Sequence, residues 1–255
     1  MKKIAVLLCD DHTIIREGLR ILLEAAGDIE VIGEAQDGRQ AVQESKRLRP
    51  DLVLVDLGMP LLNGVEATRQ ITKENPSSKV LILSSYSDEQ HLQQAVAAGA
   101  CGYLIKETAG QELVRAIREI CIGNVFFSPA VSMVLLKLQR ELLPDHLTTK
   151  AVVLTSRERE VIQLIAEGYA TKQIADVLSM TSKTADKHRQ QLMDKLNIHK
   201  VAGLTRYAIE HGFIESNCVP NCPPIWPVTC TISVARPQSG IQNSKSKIGK
   251  LPLPL

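Results

Sequence analysis

Leu52-Val53-Leu54-Val55-Asp56-Leu57-Gly58-Met59-Pro60 is an unbroken aliphatic run that ends on a carboxylate and then turns. Such a run has the length of a strand, and its continuous apolar character fits a parallel sheet covered on both faces. Similar runs stand at Ile4–Leu8, Val31–Glu34, Val80–Leu83 and Gly102–Ile105. Between them lie segments with helical spacing, Ile15, Leu19, Leu22 and Leu23 in one and Leu113, Ala116, Ile117 and Ile120 in another. Strand and helix alternating five times imply a doubly wound α/β domain.

The polar residues at the ends of these runs carry the chemistry. Asp10 and Asp11 follow the first run, Asp56 the third, Ser84 the fourth and Lys106 the fifth. In an open α/β sheet the C-terminal strand ends face one crevice, where ligands bind. Three neighbouring carboxylates repel one another and invite a hard divalent cation with oxygen ligands, such as magnesium. A lysine there pairs with a carboxylate or an incoming phosphoryl oxygen, and the Ser84 hydroxyl can donate to the same oxygen. Together they equip one Asp as a nucleophile for phosphoryl transfer. Taken singly, an Asp at a strand end is usually a helix cap and a Lys there usually a surface residue. Five such residues at successive strand ends favour a site. His12 completes an Asp-Asp-His string, but is expected to open the first helix and face solvent.

The chain has 255 residues, enough for two domains with their own cores. Apolar residues make up 44%, which excludes disorder for most of the length, and aromatics only 3%, so the cores must be aliphatic. No apolar run approaches the roughly 20 residues that span a bilayer. The opening Met1-Lys2-Lys3 and the short apolar run after it end in Asp10-Asp11 rather than at a small-residue cleavage site. They read as a first strand, and a cytoplasmic protein is expected. The six Cys are scattered and suggest no disulfide framework. The net charge of +2 hides a split: residues 1–124 hold 14 basic and 18 acidic side chains, whereas residues 217–255 hold 4 basic and no acidic ones. Two partners of different charge are implied.

Residues 125–150 read as a linker containing a helix over Val131–Leu143. Residues 151–216 carry no strand pattern. Thr155-Ser156-Arg157-Glu158 is a capping box ahead of Val161, Leu164 and Ile165, and Gly168 stands at a C-cap position. Helices over Lys172–Leu178, Ser182–Leu196 and Val201–His211 follow, with Ser179-Met180-Thr181 as a tight turn. Helix, short helix, turn and longer helix is the arrangement of helix-turn-helix DNA readers. In the third helix Ala185, His188, Leu192 and Leu196 are spaced to face the core, with Lys183, Lys187, Gln190 and Gln191 opposite. Lys and Arg neutralise phosphates, and Lys and Gln can also read base edges. One amphipathic helix is more often merely solvated, so composition alone makes DNA binding a modest favourite. Residues 217–255 hold seven of the 12 Pro and lose all periodicity, and a disordered tail is expected. The spacing of Cys218, Cys222 and Cys230 suits no zinc site.

Both halves resemble known families. Residues 2–122 resemble a receiver domain of a bacterial two-component response regulator. The resemblance rests on Asp10-Asp11, Asp56-Leu57-Gly58-Met59-Pro60 with Asn63-Gly64, Leu83-Ser84-Ser85, Ala98-Gly99-Ala100 and Gly102-Tyr103-Leu104-Ile105-Lys106. It implies a flavodoxin-like, five-stranded parallel sheet of order 2-1-3-4-5. It also implies that Asp56 accepts a phosphoryl group from a sensor histidine kinase. Asp11, Asp56 and the Gly58 backbone carbonyl would hold Mg2+, with Asp10 helping through water. Lys106 and Ser84 would contact the phosphoryl, and Tyr103 would be the aromatic that responds to it, both Ser84 and Tyr103 being drawn inward. Ser84 stands where the family often has Thr, and Glu107 where it often has Pro.

Residues 153–214 resemble a LuxR-type helix-turn-helix domain. The matching residues are Leu154-Thr155-Ser156-Arg157-Glu158-Arg159-Glu160-Val161, Ile165-Ala166-Glu167-Gly168, Lys172-Gln173-Ile174-Ala175, Lys183-Thr184, His188 and Met193-Asp194-Lys195-Leu196. The resemblance implies that Asp186, Lys187 and Gln190 reach into the groove and that Lys172, Thr184 and Lys195 touch phosphates. Ala185 replaces the usual Val. Together the two resemblances point to the NarL/FixJ class. They imply a cytoplasmic transcription factor on double-stranded promoter DNA, a homodimer when phosphorylated, with no membrane partner. In the inactive form the receiver is expected to cover the reading helix. Two rivals remain: a receiver that works without phosphotransfer, and a slow aspartyl-phosphate phosphatase. Phosphatases of that kind typically need a second Asp two residues after the nucleophile, and position 58 is Gly.

Overall fold

The computed structural model describes residues 3–85, 89–127 and 154–214. The α/β half begins with β1 (Ile4–Cys9), α1 (Thr13–Ala25), β2 (Ile29–Ala35), α2 (Gly38–Leu48) and β3 (Leu52–Asp56). It continues with α3 (Gly64–Glu74), β4 (Lys79–Ser84), α4 (Glu89–Ala97), β5 (Gly102–Ile105), α5 (Lys106–Cys121) and β6 (Phe126–Phe127). The sheet is parallel throughout, in the order β2-β1-β3-β4-β5-β6. The expected order holds for the first five strands. The sixth is a correction: Phe126 and Phe127 pair with Gly102 and Tyr103, so the sheet continues beyond residue 124.

The strands are buried because helices cover both faces, as the continuous apolar runs require. One face is packed by Val53, Val55, Val80, Ile82, Ile71 and Leu92, the other by Leu52, Leu54, Leu81, Leu113 and Ile117. All four expected inner residues of α5 are fully buried. In α1 the spacing misleads at one point. Ile15 is exposed, and its neighbour Arg16 lies inside, only 5% exposed.

The helical half consists of α6 (Ser156–Ala166), α7 (Thr171–Val177), α8 (Ser182–Leu196) and α9 (Val201–Glu210) around a separate apolar cluster. The capping box forms: Thr155 Oγ1 accepts from the Glu158 amide, and Glu158 Oε2 accepts from the Thr155 amide at 2.7 Å. Ser179, in the turn between α7 and α8, takes φ +51°, and Asn197 ends α8 at φ +54°. The expected linker helix over Val131–Leu143 and the tail over 217–255 lie outside the described residues. Among the described residues no helix is long and apolar enough to cross a membrane.

Candidate functional site

Sheet register assembles the acidic pocket. Cys9 pairs with Val55, Asp56 with Leu83 and Ser84 with Ile105. Asp10, Asp56, Ser84 and Lys106 therefore follow one another along one edge of the sheet. Asp10 is 2% exposed, Asp56 5%, and Ser84 has no exposed surface. Lys106 Nζ, on the first residue of α5, lies 2.9 Å from Asp10 Oδ2 and 2.9 Å from Asp56 Oδ1. Burial would lower the Lys106 pKa, but the charge and hydrogen bonds of Asp56 and Asp10 outweigh it and raise it.

Asp11 is less buried, yet its Oδ1 is inaccessible and accepts no hydrogen bond. His12 Nδ1 lies 2.7 Å from that atom and 3.4 Å from Asp10 Oδ1. His12 opens α1 as expected, and its side chain is largely exposed, although the ring leans on the two carboxylates. One ligand atom from each of Asp10, Asp11, His12 and Asp56 lies within 4.8 Å of the others. Three carboxylates face one ammonium here, with the His12 ring beside two of them. That donor set suits a hard divalent cation.

The loop after Asp56 is held by two close backbone approaches. A Cβ on Gly64 would lie 2.1 Å from the Asp56 carbonyl oxygen, and one on Gly38 would lie 1.8 Å from that of Leu62. Only glycine lets α3 and α2 press their N-termini onto this loop. Asn63 caps α3 through its Oδ1, which accepts from the Glu66 amide.

Arg16 is a support that the sequence reading missed. Its Nη1 donates to the Asp10 carbonyl at 2.8 Å and its Nε to Glu34 Oε2 at 2.8 Å. Arg20 pairs with the other Glu34 oxygen. The guanidinium thus ties the acidic turn to β2 and orients the Asp10 peptide. Tyr103 is fully buried, and so is Ser84, so both already sit inward in this structure. The Cys9 thiol, beneath the pocket, is pushed far up by burial and by Asp10 and Asp37, which keeps it protonated.

The residues expected to meet DNA lie on the surface of the helical half. Lys172 on α7 and Lys183, Thr184, Asp186, Lys187, Gln190 and Lys195 on α8 are all exposed. Ala185 is buried and His188 half-buried, as the spacing requires. Two of the outward residues have local partners. Gln190 Nε2 donates to Asp194 Oδ1 at 3.0 Å, and Lys195 Nζ to the capping-box carboxylate of Glu158 at 2.7 Å.

Among the described residues the outward side chains of α8 are exposed rather than covered by the α/β half; the cover expected was for the inactive form. Among the described residues, contacts between the halves come from α6 and from the residues just after α9. Gln163 and Glu167 meet the loop after β3, Arg39 Nη2 meets Glu160 Oε2 at 2.9 Å, and Gln94 Nε2 donates to the His211 carbonyl.

Comparison with known proteins gives the same division. Residues 6–118 match the model of the response regulator receiver domain, and residues 152–208 that of the bacterial regulatory proteins of the luxR family. The transcriptional regulatory protein MctR of Rhizobium johnstonii is 36% identical over 213 residues, which cover 84% of this chain and 96% of MctR. The chain belongs to the LuxR-type response regulators. The response regulator protein VraR of Staphylococcus aureus is 35% identical over 212 residues, 83% of this chain and 99% of its own. Among solved structures of LuxR-type response regulators, RcsB of Salmonella typhimurium is similar with a TM-score of 0.57 at 25% identity, covering 83% of this chain and 99% of RcsB. Another RcsB structure, of two dimers bound to two parallel DNAs, gives 0.51 at 25% identity, covering 82% of this chain and 99% of that one. The family is one of DNA-binding transcription regulators rather than enzymes, and this chain carries both of its parts.

Proposed function

We propose that this chain is a phosphorylation-switched transcriptional regulator in which Asp56 accepts a phosphoryl group from a sensor histidine kinase. The observation that carries this reading is Lys106 Nζ at 2.9 Å from both Asp10 and Asp56. A buried nucleophilic carboxylate then lies beside a fixed cation that can meet the phosphoryl oxygens. In the reaction an Asp56 oxygen forms a bond to phosphorus, and the bond from phosphorus to the kinase imidazole breaks. The electron pair leaves with the imidazole, and an aspartyl phosphate results. Lys106 moves its interaction from the carboxylate to the phosphoryl oxygens, and the Ser84 hydroxyl donates to one of them.

Asp11, Asp56 and the Gly58 carbonyl would hold Mg2+, with Asp10 acting through water. The bound ion would supply charge to stabilise the phosphoryl oxygens. Tyr103 would respond through its packing.

The division proposed is a receiver over 1–124, lengthened by β6 to Phe127, a linker from there to 150, a DNA-binding domain over 151–216 and a tail beyond. Asp186, Lys187 and Gln190 would read base edges, and Lys172, Lys183, Thr184 and Lys195 would contact phosphates of promoter DNA. Lys195 would exchange Glu158 for a phosphate. Binding as a homodimer to two half-sites is supported by the DNA-bound RcsB dimers. The free thiols of Cys9, Cys101 and Cys121 support a cytoplasmic setting.

The test is magnesium-dependent labelling with a small acyl phosphate, read by intact-protein mass. One added phosphoryl is expected on the wild type and none on Asp56→Ala. If Asp56→Ala takes the same label, or neither protein takes any, the phosphoacceptor assignment fails.

A further inference from the structure

A second concavity, separate from the acidic pocket, has a volume of about 270 Å³. Residues of α3 and α4 form one wall, and residues of α6, of α9 and just after α9 form the other. Among the described residues, neither the acidic pocket nor α8 contributes to its lining. The volume is well above the roughly 150 Å³ that holds a benzene ring in an apolar core cavity. A single ring with a polar substituent therefore fits.

The charged part of the lining is unbalanced. Glu66, on α3, is 2% exposed. Its Oε2 accepts from Arg69 Nη1 and from Arg159 Nη1, the second at 3.3 Å. Its Oε1 is buried and has no hydrogen-bond partner. Two guanidiniums thus share one oxygen of one carboxylate, and the cluster is net positive. Glu160, the next carboxylate along α6, is taken up by Arg39 and Arg157 and offers no relief. Each guanidinium is a planar fork of several N–H donors, of which Glu66 uses one. The contact from Arg159 is also long for a charge-assisted bond, which prefers about 2.7–2.9 Å. The rest of the lining is aromatic and apolar. The Tyr207 and His211 rings stack with centroids 3.8 Å apart and planes 18° apart. The Phe213 ring lies 6.5 Å from that of Tyr207, also at 18°. Val65, Ala97 and Leu154 complete the apolar surface.

We propose that this cavity binds a small aromatic carboxylate, with Arg69 and Arg159 holding its carboxylate and the Tyr207, His211 and Phe213 rings its aromatic body. The proposal does not depend on the phosphoacceptor reading of Asp56. A guanidinium fork meets both oxygens of a carboxylate at once, and such charge-assisted pairs are among the stronger hydrogen bonds. The incoming anion brings two carboxylates to two guanidiniums, which neutralises the excess charge. Aromatic rings attract one another in offset or edge-on contact, so the stacked rings favour a flat ligand over a saturated one. An apolar concavity with a few convergent polar groups is the usual composition of a small-molecule site. Arg69 belongs to the α/β half and Arg159 to the helical half. The ligand therefore touches both, and its affinity is linked to their arrangement.

The test is calorimetric titration of the full chain with benzoate. Three probes are set against it: benzamide, which lacks the charge, cyclohexanecarboxylate, which lacks the aromatic ring, and inorganic phosphate. Saturable binding of benzoate at one site is expected, with each of the other three about tenfold weaker. Arg69→Gln and Arg159→Gln should each weaken benzoate about tenfold, as loss of a charge-assisted bond does. Tyr207→Leu should instead narrow the preference for benzoate over cyclohexanecarboxylate. Thermal unfolding of each variant without ligand shows whether it is folded. Should the glutamine variants fail to fold, Arg159→Lys tests the same contact, since it keeps the charge and loses the fork. No saturable binding of benzoate, or benzoate bound by the folded arginine variants as tightly as by wild type, would overturn the site. Phosphate or cyclohexanecarboxylate bound as tightly as benzoate, and lost in the same variants, would overturn the aromatic assignment and leave a general anion site.

Discussion

The acidic pocket and the reading helix place their charges in opposite ways. In the pocket Asp10, Asp56 and Lys106 are withdrawn from solvent and bound to one another. On α8 the outward Lys183, Asp186, Lys187 and Gln190 stand in water. A buried charge depends on each of its few partners, because an unpaired one is costly. An exposed charge acts through a summed field that salt screens. The pocket should thus fail at single substitutions, and the reading surface should weaken step by step.

The largest effect expected from a residue outside the reacting groups is at Arg16. Arg16→Ala removes the donors to Asp10 and Glu34 and should weaken magnesium binding about ten- to a hundredfold, as loss of an outer partner does at metal sites. Calorimetric titration of Mg2+ measures this. Arg16→Lys, which keeps the charge but not the fork, should recover only part of the loss. Full affinity in Arg16→Ala would mean that the acidic turn holds its shape without help.

On the reading helix the effects should be smaller and of two kinds. Lys187→Ala should cost about 1–3 kcal/mol at the preferred site and relax sequence preference. Lys172→Ala should weaken all sites alike and reduce the salt dependence by about one phosphate contact. Binding titrations on a selected and a scrambled duplex at several salt concentrations separate the two. If both variants behave alike, base reading and phosphate positioning are not divided between these residues.

The smallest effect lies where the two regions meet. Glu167 is pushed above the usual carboxylate range by burial, against the hydrogen bonds from Gln163 and Leu61 and the charge of Arg39, while Asp37 adds to the rise. Its docked pKa lies above its free value, so protons favour docking. That contribution is complete below the ordinary carboxylate range and is lost as the pH rises through the raised value. Exchange at the Leu61 amide, corrected for its intrinsic pH dependence, should slow a few-fold on mild acidification, and Glu167→Gln should remove the trend.

The same contrast explains what could be seen in the sequence. Asp10, Asp56, Ser84 and Lys106 were legible because each closes an aliphatic strand, and parallel topology brings strand ends together. The span of α8 was legible from Thr181 as cap and the spacing of Ala185, Leu192 and Leu196. Arg16 was not singled out. Its only signal is a charged residue in step with Leu19 and Leu23 on the inner side of α1, and Ile15 beside it drew the stripe the wrong way. β6 was missed because two residues after the last helix form no pattern. Gln163 sits inside Val161-Ile162-Gln163-Leu164-Ile165, apolar on both sides. That hints at burial but cannot name a partner 100 residues away. Where the two halves meet was not legible, because such a contact depends on side-chain pairs across the halves, and local periodicity holds no record of them.

The central claim is that one phosphoryl on a buried carboxylate changes what the exposed helix does. The most direct measurement is the affinity of the full chain for a duplex selected from random DNA, before and after acyl phosphate labelling, in wild type and Asp56→Ala. Labelled wild type is expected to bind tighter and with greater sequence preference, and Asp56→Ala to be indifferent to acyl phosphate. Equal affinity of labelled and unlabelled wild type would contradict it.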